Sequence, residues 1–329
     1  MQRLLIIYNP HSSRYADVRA EVLDKVTNLK GFIIGKYEVE KTDVDQNAKK
    51  LSKILKDGDL VLSVGGDATG VIATNAILDS GKDATLAVLP YGNFNDLSRT
   101  LGTSSLEDIV TWAGDGSGRG PQNALQSKDF GEGEEPAGPA QNYYPLEILI
   151  DDIHFRYATC YTTIGMTAEA VHLYDQPKMR QKLKKSIGRK FSSYTQLASW
   201  YFKNRHKNQF LPDFKLNGKL QPKNTSDYAA VNGRYMARVM KGGEYFKSPT
   251  TFRSETDRLT NFWRLFKLMM KSIFKTIPGS STKGDTLEFL SPATVELQAE
   301  GEYKTFSNIN KIVIRKSKKC LKVITKLEK

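Results

Sequence analysis

The sequence has little of what staples a small fold or grips a metal. Two cysteines, Cys160 and Cys320, cannot build a disulfide framework, and the four histidines, His11, His154, His172 and His206, fall at no metal-ligand spacing. A structural zinc site is not expected. No run approaches the roughly 18 apolar residues that a membrane-spanning helix needs, and the opening stretch Leu4 to Tyr8 is too short for a signal peptide, so a cytoplasmic protein is expected. Neither a Walker A sequence nor a dinucleotide-binding fingerprint occurs. An ordinary globular composition, 39% hydrophobic before glycine is counted, excludes disorder, collagen and coiled coil as the main state.

What is present in excess is positive charge. Against 36 Asp and Glu stand 49 Lys and Arg, a net charge of +13 in 329 residues. Such a surplus attracts nucleic acid, an acidic membrane face or nucleotide phosphates, or serves solubility alone, and composition does not choose among them. The length is about twice that of a usual domain, so two domains are expected.

The first hundred residues alternate strand and helix patterns. Leu4 to Tyr8, Gly31 to Val39, Leu60 to Val64 and Thr85 to Leu89 read as strands; Val18 to Leu29, Gln46 to Leu55 and Gly70 to Leu78 read as helices. That rhythm predicts an α/β domain over 1–144 with a mostly parallel sheet, whose ligands bind beyond the carboxyl ends of the strands. Residues 112–144, rich in Gly, Pro, Ser and Glu, read as a flexible insertion or linker. From residue 145 to 329 the pattern is strand-like: 146–153, 156–163, 214–216, 228–232, 287–290, 294–298, 309–315 and 321–325. It predicts a mainly antiparallel β second domain with added helices, whose C-terminal end is open to returning to the first domain.

Two turns at strand ends carry the chemistry. Gly65-Gly66-Asp67-Ala68-Thr69 follows a buried strand and opens a helix; its glycines let the main chain approach a phosphate, and the helix start offers N–H donors. A tight strand-to-helix turn needs the same residues, and that reading stays open for this stretch by itself. The next strand ends in Pro90-Tyr91-Gly92-Asn93-Phe94-Asn95-Asp96, so two neighbouring strand ends present glycine and Asp on one rim.

Taken together, these segments resemble the diacylglycerol kinase catalytic domain family, which includes bacterial lipid kinases and sphingosine kinases. Asn9-Pro10-His11-Ser12-Ser13 is similar to its opening Asn-Pro-x-Ser-Gly, residues 65–69 to its Gly-Gly-Asp-Gly-Thr loop, and residues 90–96 to its Pro-x-Gly-Thr-x-Asn-Asp. Further on, Gly165-Met166-Thr167-Ala168 is similar to Gly-Phe-Asp-Ala, Lys184 to Gly188 to a Lys-Lys-x-x-Gly helix start, and Glu300-Gly301-Glu302 to Asp-Gly-Glu. The chain departs at Ala68, where a positive φ would be strained, at Asn93, at Thr167, which loses a carboxylate, and at Glu300, one methylene longer than Asp.

The resemblance implies an ATP-dependent lipid kinase, a transferase of phospholipid metabolism acting on diacylglycerol or a related lipid, with its ATP site in the interdomain cleft. It implies ATP held by Asn9, Gly65, Gly66, Asp67, Thr69, Gly92 and Asn95, Mg²⁺ partnered by Asp67, Asp96 and Glu302, and catalysis by Glu300 as general base together with Asp67. Arg99 reads as either a phosphate contact or an exposed helix arginine, and Glu300 as either a base or a solvated turn residue.

Two basic amphipathic segments suit an anionic membrane surface. In 178–207, Met179, Leu183, Ile187, Phe191 and Tyr194 form one apolar face among lysines and arginines with no acid; in 258–277, Phe262, Phe266, Met269, Met270 and Ile273 do the same. Peripheral membrane association is expected, with packing of both faces on the second domain as the alternative. Rival readings are a catalytically weak or inactive nucleotide or lipid binder of the same fold, a soluble-substrate kinase, and a non-specific nucleic-acid binder, for which no recognition motif is present.

Overall fold

The apolar run at the N-terminus becomes the centre of a sheet in the computed structural model, which describes residues 1–27, 29–92, 95–102, 105–114, 140–169, 211–236, 240–257 and 279–325. The chain divides into two units. The first comprises Met1–Pro145, Phe246–Pro249 and Ser317–Lys329; the second comprises Leu146–Tyr245 and Thr250–Lys316.

In the first unit, β1 (Gln2–Tyr8) leads into helical turns α1 (Tyr15–Val18) and α2 (Asp24–Val26), joined by a π-helical turn over Arg19–Leu23. Then come β2 (Phe32–Glu38), α3 (Val44–Ser52), β3 (Leu60–Gly65), α4 (Asp67–Ser80), β4 (Thr85–Pro90), α5 (Asp96–Leu101) and α6 (Leu106–Gly114). Helix α3 starts where Asp43 accepts from Gln46 N at 2.7 Å, a side-chain N-cap. Helix α4 is apolar nearly all round and is buried from Thr69 to Leu78, and it stops at Gly81, whose φ of 66° suits a left-handed C-terminal residue. Strand β3 is buried on both faces, as its unbroken Leu-Val-Leu pattern requires in a covered parallel sheet. Each fully buried leucine or valine of this kind contributes roughly 1.5–3 kcal/mol.

The sheet order is β2-β1-β3-β4, parallel throughout, extended by β18 (Leu321–Ile324), which pairs parallel with β4, and then by β5 (Ala140–Tyr143), which pairs antiparallel with β18. The stretch 112–144 is therefore structured at both ends, as the last residues of α6 and as β5, where Tyr143 is fully buried and stacks on Phe246 at 5.0 Å. Residues 115–139, and with them the reading of an insertion, lie outside the described residues.

The second unit is antiparallel. It contains β6 (Leu146–Ile150), β7 (Ile153–Ala158), β8 (Tyr161–Gly165), β9 (Phe214–Leu216), β10 (Lys219–Leu220), β11 (Asp227–Val231), a small pair β12 (Tyr235–Met236) and β13 (Met240–Lys241), β14 (Phe252–Asp257), β15 (Ser280–Thr282), β16 (Gly284–Ala299) and β17 (Glu302–Lys316). The main sheet runs β15-β14-β11-β8-β16-β17-β6-β7. Because β7 and β8 are joined by only Thr159-Cys160, the strands between them in that order curl back on themselves. The long β16–β17 hairpin bends with them, with register shifts between Glu288 and Val295.

Two sequence expectations are corrected here. The expected strands 146–153 and 156–163 are three strands, because Asp151 and Asp152, at φ 47° and 64°, make a two-residue hairpin turn. The expected strands 287–290 and 294–298 are one strand, β16. Residues 321–324, whose return to the first domain the sequence left open, join the sheet of the first unit, since their partners are β4 and β5.

Candidate active site

Parallel register brings the expected phosphate residues of the first unit to one edge. Tyr8 pairs with Val64, Val64 with Leu89, and Gly65 with Pro90, so Asn9, Gly65 and Pro90 leave the sheet side by side at its carboxyl end. The loops after β3 and β4 then touch through glycine. A Cβ on Gly92 would stand 2.2 Å from Gly66 Cα, and one on Gly66 would stand 3.1 Å from Gly92 Cα. Only two residues without side chains can close this contact. Gly65 is constrained in turn by Thr69, whose Oγ1 would lie 2.4 Å from a Gly65 Cβ; the Thr69 side chain is buried against the strand end.

The polar side chains on this rim are fixed in place. Asn9 Oδ1 accepts from His11 N at 2.8 Å, which turns its amide N–H₂ outward as a donor. Asn95, at φ 58°, accepts from Gly92 N at 2.8 Å and donates to Gly92 O at 2.9 Å, closing the loop that precedes α5. Asp67, the first residue of α4, reaches to the start of α5 and accepts from Leu97 N at 3.2 Å. Burial pushes its carboxyl up, while N–H groups of Leu97, Asp96 and Asn95 pull it back toward the anion. Asp67 thus ties two helix starts together as well as standing at the edge. Asp96 is buried at the first position of α5.

Ala68 lies within α4 and is absent from the residues with positive φ, so the expected strain does not arise. Beside the rim, an open pocket of about 380 Å³ is lined by Arg14, Glu21, Lys25, Pro90, Tyr91 and Glu107. The Arg14 guanidinium lies 5.0 Å over the Tyr91 ring, and Tyr91 donates to Glu21 Oε2 at 2.7 Å.

In the second unit, Glu300 and Gly301 form the two-residue turn of the β16–β17 hairpin, at φ 53° and 88°. Glutamate at positive φ is uncommon and costs about 1–2 kcal/mol, so its surroundings must hold it there. They do. Glu300 is 4% exposed, not the solvated turn residue that the sequence left open, and its carboxylate accepts from Thr159 Oγ1 and Cys160 N. With its oxygen turned to the hairpin, the Gln298 amide accepts from Glu300 N at 3.0 Å and donates to Thr163 Oγ1 at 3.0 Å. Glu302 opens β17, half-buried, opposite Ala299.

Sequence reasoning missed a carboxylate near Thr167. Asp227, on β11 and paired with Gly165, accepts from Thr167 N at 3.0 Å and from Thr167 Oγ1 at 2.5 Å. Burial pushes its carboxyl up to about 7, assisted by the negative charges of Asp257 and Glu255. An acid is therefore kept one hydrogen bond from the position at which the resemblance expected one. Only strand pairing, 60 residues away in sequence, reveals it.

Among the described residues no three carboxylates, imidazoles or thiols form a ready metal shell. The segments 178–207, with its stretch Lys184–Gly188, and 258–277 lie outside the described residues, as do Asn93 and Phe94. Among the described residues no helix is long and apolar enough to cross a membrane.

Residues 3–119 match the family model of the diacylglycerol kinase catalytic domain. A diacylglycerol kinase of Bacillus subtilis (strain 168) is 34% identical over 113 residues, covering 33% of this chain and 36% of the relative. Another, of Staphylococcus carnosus (strain TM300), is 30% identical over 102 residues, covering 30% and 33%. The matched region thus spans about a third of the length of these relatives. The crystal structure of a diacylglycerol kinase from Bacillus anthracis strain Sterne shares the fold, with a TM-score of 0.62 at 16% identity over 99% of this chain and 97% of that one. The rim of glycines and acids at the ends of β1, β3 and β4 accordingly lies within the segment, 3–119, that is similar to the diacylglycerol kinase catalytic domain.

Proposed function

We propose that the protein is a lipid kinase that transfers the γ-phosphate of ATP to a lipid hydroxyl, with diacylglycerol or a related lipid as acceptor. The observation that carries this reading is the Gly66–Gly92 contact at the carboxyl edge of the parallel sheet. It packs the two main-chain turns together beside the start of a 14-residue helix, α4, where the backbone dipole favours phosphate. Asn9 Nδ2 and the N–H groups around Gly65 and Gly66 would hold phosphate oxygens, with Thr69 and Asn95 fixing the loops that present them. The pocket beside Pro90 and Tyr91 is of a size suited to the remainder of a nucleotide.

The donor set fits a hard cation that arrives with the nucleotide, since Mg²⁺ commonly takes one or two carboxylates plus phosphate oxygens and water. Asp67 and Asp96 are the carboxylates of the rim that would hold it; Glu302 is a third candidate on the resemblance of Glu300-Gly301-Glu302 alone. When bound, the ion neutralises charge on the transferring phosphoryl group.

Glu300 would take the proton of the attacking hydroxyl. Two donors, Thr159 Oγ1 and Cys160 N, fix the position of its carboxylate, the group that would accept the proton. Peripheral docking on an anionic membrane through 178–207 and 258–277 belongs to this proposal and is supported by their sequence alone.

The test is labelled ATP with Asp67→Asn and Glu300→Gln. Each should slow lipid phosphorylation about 10²-fold or more, as for loss of a general base or a phosphate-neutralising partner. Unchanged turnover in both would remove the assignment.

A further inference from the structure

Lys316 ends β17 and is 6% exposed, a depth at which lysine is rarely found without polar partners. Its ammonium donates to Asn232 Oδ1 at 2.5 Å and to Tyr245 O at 3.0 Å. Because the Thr159 carbonyl can only accept, the Asn232 amide must point its N–H₂ there and its oxygen at Lys316. That N–H₂ donates to Thr159 O at 2.7 Å, and Asn232 N donates to Cys160 O at 2.7 Å. Thr159 Oγ1 and Cys160 N are in turn the donors on the Glu300 carboxylate.

The row therefore runs in one direction, from lysine to asparagine to the two-residue β7–β8 turn to glutamate, and every side chain in it is at least nine-tenths buried. Hydrogen bonds aligned in this way polarise one another in a low-dielectric interior. The fold makes the row possible: the bent β16–β17 hairpin brings its turn, at Glu300, and its far end, at Lys316, to the same short connection. Burial brings Lys316 down to about 7, a cost that an apolar side chain of similar length would not carry. Packing alone does not call for a lysine here.

We propose that Lys316 and Asn232 are positioning residues for Glu300, setting the geometry of its carboxylate through Thr159 and Cys160. The inference rests on Glu300 being the base, as proposed above. Neither residue is assigned a contact with substrate or nucleotide.

Three variants of the full-length protein test it in ATP-dependent lipid phosphorylation: Lys316→Met, Asn232→Asp and Glu300→Gln. Asn232→Asp keeps the shape and still accepts from Lys316 but no longer donates to Thr159 O, so it reports on the row even if Lys316→Met fails to fold. For both positioning variants kcat should fall about tenfold or more in the folded protein, because small displacements of a reacting group are costly, while KM for ATP and for lipid stays within about twofold. In a Glu300→Gln background neither should lower kcat further. Parental kcat in Asn232→Asp, or an equal additional fall in the Glu300→Gln background, overturns the positioning role while leaving the base in place. Parental kcat in Glu300→Gln itself overturns the base and the inference together.

Discussion

Replacing Gly92 by alanine tests the rim most sharply. The new Cβ would lie 2.2 Å from Gly66 Cα, 2.9 Å from Gly66 N and 2.8 Å from Asn95 Oδ1. Two of these are main-chain atoms, which no rotamer change relieves. Ordinary contact begins at 3.4 Å, so the loops after β3 and β4 must part by about 3.4 − 2.2 = 1.2 Å. Overpacking of this kind costs roughly 1–3 kcal/mol of stability, and a displacement of about 1 Å in a phosphate-holding loop lowers activity about 10²-fold. Gly66→Ala, with its nearest atom at 3.1 Å, should do less, and Gly284→Ala, with its nearest atom at 3.5 Å and no positive φ, should do little. Initial rates against ATP concentration, paired with thermal melts, give the comparison. If Gly92→Ala stays folded and keeps kcat/KM for ATP within twofold of the parent, the rim does not hold the nucleotide.

Asp227 makes stability depend on pH. Its rise from 3.8 to about 7 means that the folded chain holds a proton which the unfolded chain gives up between those values; stability is full below pH 4 and is lost as pH rises through 7. The span corresponds to roughly 4 kcal/mol as an upper bound, and Asp227→Asn should flatten melting temperature against pH across this window. A profile unchanged by the substitution would refute the buried, protonated carboxyl. Ala68→Gly should lose about 1 kcal/mol of helix stability without raising activity, because Ala68 already has helical backbone; a faster enzyme would show that the loop needed the third glycine.

The order of elements from β1 to β4 was legible because covered parallel strands demand unbroken apolar runs, as in Leu60 to Val64, and because glycine and Asp must follow them for the helix to start; α6 and β5, beyond them, were not. The two glycine turns were legible one by one, but their contact was not, since it depends on the register of β3 against β4. In the second unit the turn at Asp151-Asp152 hid itself, having no glycine to mark it; for residues 321–324 the sequence left a return to the first domain open, and only the pairing with β4 and β5 decides it. Glu300 was visible through Gly301 beside it. Lys316, Asn232 and Asp227 were not, because each finds its partner 60 or more residues away across strand pairs that local pattern does not specify.

The most direct measurement of the central claim is transfer of label from γ-labelled ATP in the presence of Mg²⁺ to a panel of lipids in mixed micelles. The account predicts label in diacylglycerol or a related hydroxyl lipid, reduced about 10²-fold by Asp67→Asn and by Glu300→Gln. Label in no lipid from the folded parent protein, or undiminished label in both variants, would contradict it.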